Sequence, residues 1–256
     1  MSSDWRDQQT ELLQRFDEDG YVMLRGFLSG EQIRELREHL DRFIAETVPT
    51  MPANHVFYED KLKPETLKQM QNLHTYAPYF GKMTVGSEFE DLAALLMRDR
   101  AVPKNLQYFN KPAGVGQPTP AHQDGYYFML SPCEAVTMWL ALEKVDEENG
   151  CVRYLPGSHR QGMRPHARTA TLGFSQGISD YGEADTAAEV MMPAEAGDLL
   201  VHHALTVHRA DGNSSVDRTR KAMGFVYFAG KAKVDEAARD AYQEKLTREM
   251  EAEGKI

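Results

Sequence analysis

The chain has 256 residues, 41% hydrophobic and 27% charged, which suits one substantial core and excludes collagen-like or disordered classes. A formal net charge of -10 argues against a general nucleic-acid or anionic-membrane surface, because those partners need a concentrated basic face. Only Cys133 and Cys151 occur, the N-terminus lacks the basic-then-apolar order of a signal peptide, and no apolar run approaches the ~20 residues of a membrane span, so a soluble protein of a reducing cytoplasm is expected.

Residues 1–102 read mainly as helix. Within them GYVMLRGF is short, rich in strand formers and bounded by glycine, which predicts a strand. Ile33, Leu36, Leu40, Phe43 and Ile44 then form one helical stripe, opened by a capping box of Ser29 and Gln32. A second box, Ser87 with Glu90, precedes Phe89, Leu92, Leu95 and Leu96. From residue 103 to 230 the pattern changes to short strands with Gly, Pro and Asn punctuation: KNLQYFNKP, EAVTMWLALE, GCVRYLPGSH, GDLLVHH and RKAMGFVYFAG. In the second of these, Val136, Met138, Leu140 and Leu142 face one side and Thr137, Trp139 and Ala141 the other. Asn149-Gly150 reads as a hairpin turn. Residues 161–190 are polar and weakly periodic, as in a lid-like insertion, and residues 231–256 return to helical spacing. The sum is a single domain, mainly β with α, in which many short strands predict a sandwich or jelly roll.

The segment PTPAHQDGYYF places His122 and Asp124 two residues apart, which on a strand points an imidazole and a carboxylate to the same face. That pair alone is a weak signal. Downstream, GDLLVHHALTVHRADGNSSVDRTRKAMGF supplies His202, His203 and His208, then Arg218 and Arg220. Two histidines and one carboxylate bind iron(II) on one face of its octahedron and leave three positions for a bidentate co-substrate and dioxygen.

Taken in order, FDEDGYVMLRGFLSGEQIRELREHLDRF, YFNKP, HQD, MWLALEKVDEENGCVRYLPGSH and GDLLVHHALTVHRADGNSS resemble the phytanoyl-CoA dioxygenase family over nearly the whole chain. These are iron(II)- and 2-oxoglutarate-dependent oxygenases. The resemblance implies a double-stranded β-helix (jelly roll) core flanked by N-terminal helices and a C-terminal helix, with Fe(2+), 2-oxoglutarate and O2 as cofactor and co-substrates. It assigns His122, Asp124 and His208 as metal ligands, His208 standing five residues before Asn213, and leaves His202 and His203 as strand-end or neighbouring residues. It assigns Arg220 to the distal carboxylate of 2-oxoglutarate; the interval from His208 is one residue longer than usual, so Arg218 stays open. Ala210 stands where some members carry a hydroxyl that assists this carboxylate, a task left to Thr137 or another group. Gln123, Trp139 and Gln107 align with positions lining the 2-oxoglutarate pocket.

The implied reaction is hydroxylation of a small molecule with release of succinate and CO2. Retention of Asp124 excludes halogenation, because related halogenases put a small residue there. Tyr126, Tyr127 and Phe128 are placed to wall the pocket, and Arg153, Arg160, Arg164 and His166 would suit a polar or anionic metabolite. The competing classes are a jelly-roll enzyme using zinc or manganese without 2-oxoglutarate, and a non-catalytic metal-binding protein.

Overall fold

The computed structural model describes residues 4–169 and 176–252. In chain order the first elements are α1 (Gln9–Asp19), β1 (Tyr21–Leu24), α2 (Gly30–Glu46), β2 (Val56–Tyr58), β3 (Leu67–Met70), α3 (Leu73–Tyr76), α4 (Pro78–Lys82) and α5 (Glu88–Met97). The Ser29–Gln32 box forms reciprocally: Ser29 Oγ accepts from the Gln32 amide, and Gln32 Oε1 from the Ser29 amide. At the second box Ser87 Oγ accepts from the Glu90 amide, while the Glu90 carboxylate reaches back one residue further, to the Gly86 amide. Both helices bury their read stripes. Leu36, Leu40, Phe89 and Leu92 join one core with Val136, Met138, Leu140 and Phe225 of the sheet below.

The strand-rich part comprises β4 (Ala101–Lys111), β5 (Thr119–His122), α6 (Gly125–Phe128), β6 (Leu130–Ser131), β7 (Ala135–Ala141), β8 (Val152–Tyr154), β9 (His166–Arg168) and β10 (Gln176–Ile178). It continues with α7 (Glu183–Ala188), β11 (Val190–Met192), β12 (Leu199–His203), β13 (His208–Ala210), β14 (Arg220–Ala229), β15 (Lys233–Val234) and α8 (Glu236–Ala252). A seven-stranded sheet runs β1-β12-β7-β14-β4-β3-β2, and a four-stranded sheet runs β11-β8-β13-β5. Pairing is antiparallel throughout, giving the jelly-roll core. Because successive side chains alternate, the large sheet turns Val136, Met138 and Leu140 toward the helices and Thr137, Trp139 and Ala141 toward the small sheet.

Three expectations change. The N-terminal part is less purely helical than its periodicity implies: β2 and β3 extend one end of the large sheet and β1 forms the other. β1 is the strand read in GYVMLRGF, whereas β2 and β3 are four residues or fewer, too short for a period to register. Asn149-Gly150 is a corner and not a hairpin, since β7 and β8 belong to different sheets. Gly150 does take the left-handed φ of +86° that the turn reading requires. Finally, the insertion over 161–190 carries its own β9–β10 hairpin and α7; residues 170–175 lie outside the described residues. Among the described residues no helix is long and apolar enough to cross a membrane.

Candidate metal centre

β5 and β13 are neighbours in the small sheet, and their register sets His208 directly opposite His122. Sequence-distant histidines therefore meet through strand pairing. Asp124 joins them by a route different from the one expected: β5 ends at His122, and Asp124 takes helical dihedrals (φ -58°, ψ -34°) at the start of α6. The chain turns between the two residues and brings the carboxylate back over the strand end. One ligand atom from each of His122, Asp124 and His208 lies within 4.8 Å of the others.

The tautomers follow from the second ring nitrogens. His122 Nδ1 lies 2.8 Å from the Pro120 carbonyl and His208 Nδ1 lies 3.0 Å from the Thr206 carbonyl. Carbonyl oxygens only accept, so both Nδ1 atoms carry a proton, and Nε2 is the atom each ring can offer as a lone pair. Those nitrogens stand 3.4 and 3.7 Å from Asp124 Oδ1. Three acceptors thus face one point, an arrangement suited to a cation. Burial alone would raise the Asp124 carboxyl, but the hydrogen bond donated by His202 counters it, and the group is held well below the usual carboxylate range. Burial, reinforced by His122 and His202, keeps His208 well below its ordinary value and therefore neutral.

The rival histidines have other partners. His202 Nδ1 meets the Tyr154 hydroxyl at 2.8 Å and its Nε2 meets Asp124 Oδ2 at 3.1 Å, the opposite tautomer, so His202 donates toward the centre. His203 points to the helical side, beside Phe16 and His159, and its Nδ1 accepts from the Leu205 amide. Burial lowers its pKa to about 4. Thr137, expected beside 2-oxoglutarate, is a correction: its hydroxyl donates to Asp124 Oδ2 at 2.5 Å. It sits opposite His202 in the β7–β12 register, so both reach the carboxylate from the large sheet.

Along the inner face of β14 lies the cation. Arg220 is 4% exposed, has no carboxylate partner among the described residues, and its Nε is buried without a hydrogen-bond partner. Burial lowers its pKa to about 10. The guanidinium carbon lies 5.4 Å from the centroid of the Trp139 ring. Trp139, Gly224 and Gln107 form one row across β7, β14 and β4. A Cβ at Gly224 would come within 2.6 Å of the Phe109 ring, so glycine is needed for this close approach. Gln107 accepts from the Gln69 amide at 2.8 Å. Arg218, by contrast, is an exterior residue paired with Asp146 and Glu148.

A profile of the family described as Phytanoyl-CoA dioxygenase (PhyH) matches residues 16–222. The chain belongs to the phytanoyl-CoA dioxygenase family. It is similar to phytanoyl-CoA dioxygenase 1 of Oryza sativa subsp. japonica, 26% identical over 238 residues covering 80% of this chain and 84% of the relative. It is also similar to a probable alpha-ketoglutarate-dependent hypophosphite dioxygenase of Stutzerimonas stutzeri, 25% identical, covering 84% and 75%. Among solved structures, the epimerase SnoN in complex with Fe3+, alpha ketoglutarate and nogalamycin RO superposes with a TM-score of 0.72 at 24% identity, covering 90% and 86%. EctD from S. alaskensis gives 0.70 at 19%, covering 86% and 75%; these two likenesses concern the fold. As a member of this family the chain is a non-haem dioxygenase dependent on iron(II), 2-oxoglutarate and O2. Its residues fit both groups: two Nε2 lone pairs and a carboxylate for a divalent metal, and a buried arginine with no ion pair among the described residues for a dicarboxylate.

The rim of this dioxygenase departs from expectation. Gln123, expected to line the 2-oxoglutarate pocket, is completely buried and turned into the insertion: its Nε2 donates to the carbonyls of Gly162 and Leu205, and its Oε1 accepts from the Arg164 amide. Tyr126 stacks on His166 at 4.3 Å, and the Tyr127 hydroxyl donates to the Gln176 carbonyl, so both tether the β9–β10 hairpin. Phe128 packs on Phe228 and belongs to a small core. The expected basic cluster is dispersed and compensated. Arg153 pairs with Asp211 and Glu147, Arg164 with Asp180 and Asp185, and Arg160 donates to the carbonyls of Asp17 and Glu18. Sequence reading missed Tyr154, because an alternating strand tyrosine carries no local mark of the histidine it will meet.

Proposed function

We propose that His122, Asp124 and His208 hold iron(II), that Arg220 receives the distal carboxylate of 2-oxoglutarate, and that the enzyme hydroxylates a small polar substrate. When bound, the metal and keto acid supply oxidative decarboxylation with O2, releasing succinate and CO2 and leaving one oxygen atom for the substrate. The observation that carries the reading is the convergence of two histidine lone pairs and Asp124 Oδ1 on one point. The protein's own contributions are positional and electrostatic. Backbone carbonyls of Pro120 and Thr206 orient the rings, burial keeps His208 neutral, and the Trp139 face flanks Arg220. Gln123, lying between two proposed ligands, ties the insertion down beside them and helps exclude water.

The relatives' names span an acyl-CoA and hypophosphite, so substrate choice is not carried by the family. Pairing of Arg153 and Arg164 removes the support for a strongly anionic substrate. A zinc or manganese enzyme without a keto acid would have no use for the buried Arg220 cation. The test is anaerobic addition of iron(II) and then 2-oxoglutarate, followed in the visible. Development of the weak metal-to-keto-acid charge-transfer band, and succinate release once oxygen is admitted, are the expected results; neither appearing would sink the reading.

A further inference from the structure

The Asp124 carboxylate bridges the gap between the sheets. Its Oδ1 faces the two small-sheet histidines, whereas its Oδ2 meets two donors from the large sheet: Thr137 Oγ1 at 2.5 Å and His202 Nε2 at 3.1 Å. A carboxylate oxygen accepting two hydrogen bonds has its in-plane lone pairs engaged. We propose that Thr137 and His202 are positioning residues that hold Oδ2 back, so that Asp124 offers Oδ1 alone to the metal.

The consequence concerns coordination number. Held by His122, His208 and Asp124 Oδ1 alone, a six-coordinate metal would keep three positions open for its co-substrates. A carboxylate binding through both oxygens would occupy one of the three. The clamp therefore keeps the site open for both co-substrates.

Several features support a built arrangement over incidental contact. Thr137 and His202 are directly paired in the β7–β12 register, and both are largely buried. The His202 tautomer is itself fixed: Asp124 Oδ2 only accepts, so Nε2 carries the proton that faces it, which leaves Nδ1 to accept from the Tyr154 hydroxyl. Tyr154 is fully buried, stacks on Tyr21 at 4.5 Å, and lies opposite His208 in the β8–β13 register. The chain of contacts thus runs from Tyr21 through Tyr154 and His202 to the carboxylate.

This inference rests on the iron reading above, and the test separates the two. The variants are Thr137→Ser and His202→Gln, which retain a donor, Thr137→Val and His202→Leu, which remove one, and the Val/Leu double variant. Folding is checked by circular dichroism. Manganese(II) affinity is then measured without turnover, 2-oxoglutarate chelation by the anaerobic iron(II) band, and Asp124 denticity in crystals of the manganese-loaded parent and double variant.

The donor-retaining variants should stay within about 3-fold of the parent in metal affinity, while each donor-removing variant weakens it about 10-fold. In the double variant both Asp124 oxygens should contact manganese and the keto-acid band should diminish; in the parent only Oδ1 should do so. Two-oxygen binding in the parent, or a double variant matching the parent in affinity and band, overturns the clamp alone. Equal losses in Thr137→Ser and Thr137→Val also overturn it, since loss of the hydroxyl would then not be the cause. A parent that binds neither metal nor keto acid overturns the iron reading and the clamp with it.

Discussion

Replacing Arg220 by Met should make the metal-loaded protein more heat-stable while abolishing its response to 2-oxoglutarate. Burial lowers the Arg220 pKa from 12.5 to about 10, and at 1.36 kcal/mol per pH unit that corresponds to about 3 kcal/mol against the charged form. The sign is destabilising at neutral pH: the arginine is charged both folded and unfolded at pH 7, so the folded state carries the whole penalty, which fades only as pH rises from about 10 toward 12.5. Methionine removes the penalty but forfeits the guanidinium contact with Trp139, a loss of about 1–2 kcal/mol. The net gain is about 1–2 kcal/mol, or about 3–6 °C for a chain of this size. In the parent, 2-oxoglutarate at 100 times its Kd should add about 2.7 kcal/mol of its own. Differential scanning fluorimetry of parent, Arg220→Met and Arg218→Met, each with manganese and with or without 2-oxoglutarate under anaerobic conditions, reads both effects. Arg218→Met should keep the ligand shift, because its guanidinium is engaged by Asp146 and Glu148. An Arg220→Met protein that melts lower and still responds to the keto acid would refute the argument.

His203→Leu should retain manganese binding and succinate formation, since its ring faces Phe16 and His159. It should also flatten the acid limb of the stability profile: His203 is held neutral with a pKa of about 4, so wild-type stability falls as pH drops from 6.5 toward 4, and leucine removes that term. Asp124→Ala, in contrast, should lose metal binding and succinate formation together, as measured by calorimetry and product assay. Gln123→Leu leaves the Arg164 amide and two carbonyls without their partner, so hydrogen exchange across 162–168 should rise and KM for the substrate increase more than manganese affinity falls. Asn149→Ala should lower stability by about 2–4 kcal/mol in urea unfolding, because a completely buried amide that joins Asp146, Lys144 and Thr219 is lost.

What was legible in the chain was whatever depends on near neighbours. Helical stripes ahead of short alternating strands, the box at Ser29, and the two faces of Val136–Leu142 follow from periods and caps that span a few residues. So does the supply of ligand types: two donors flanking Gln123 and a histidine-rich strand end. Other decisions lay beyond that range. Whether a histidine presents a lone pair or a proton to Asp124 depends on its other nitrogen, and those partners, the Pro120 and Thr206 carbonyls and the Tyr154 hydroxyl, are placed by strand register and local turns. Arg218 and Arg220 are alike as a pair of letters; only the tertiary structure sends one to exterior carboxylates and buries the other with no ion pair among the described residues. Thr137 and Gln123 changed roles for the same reason. A hydrogen bond is directional and reaches about 3 Å, so the work a polar side chain does is fixed by which atoms the fold brings within that distance, and two sheets closing face to face decided it here.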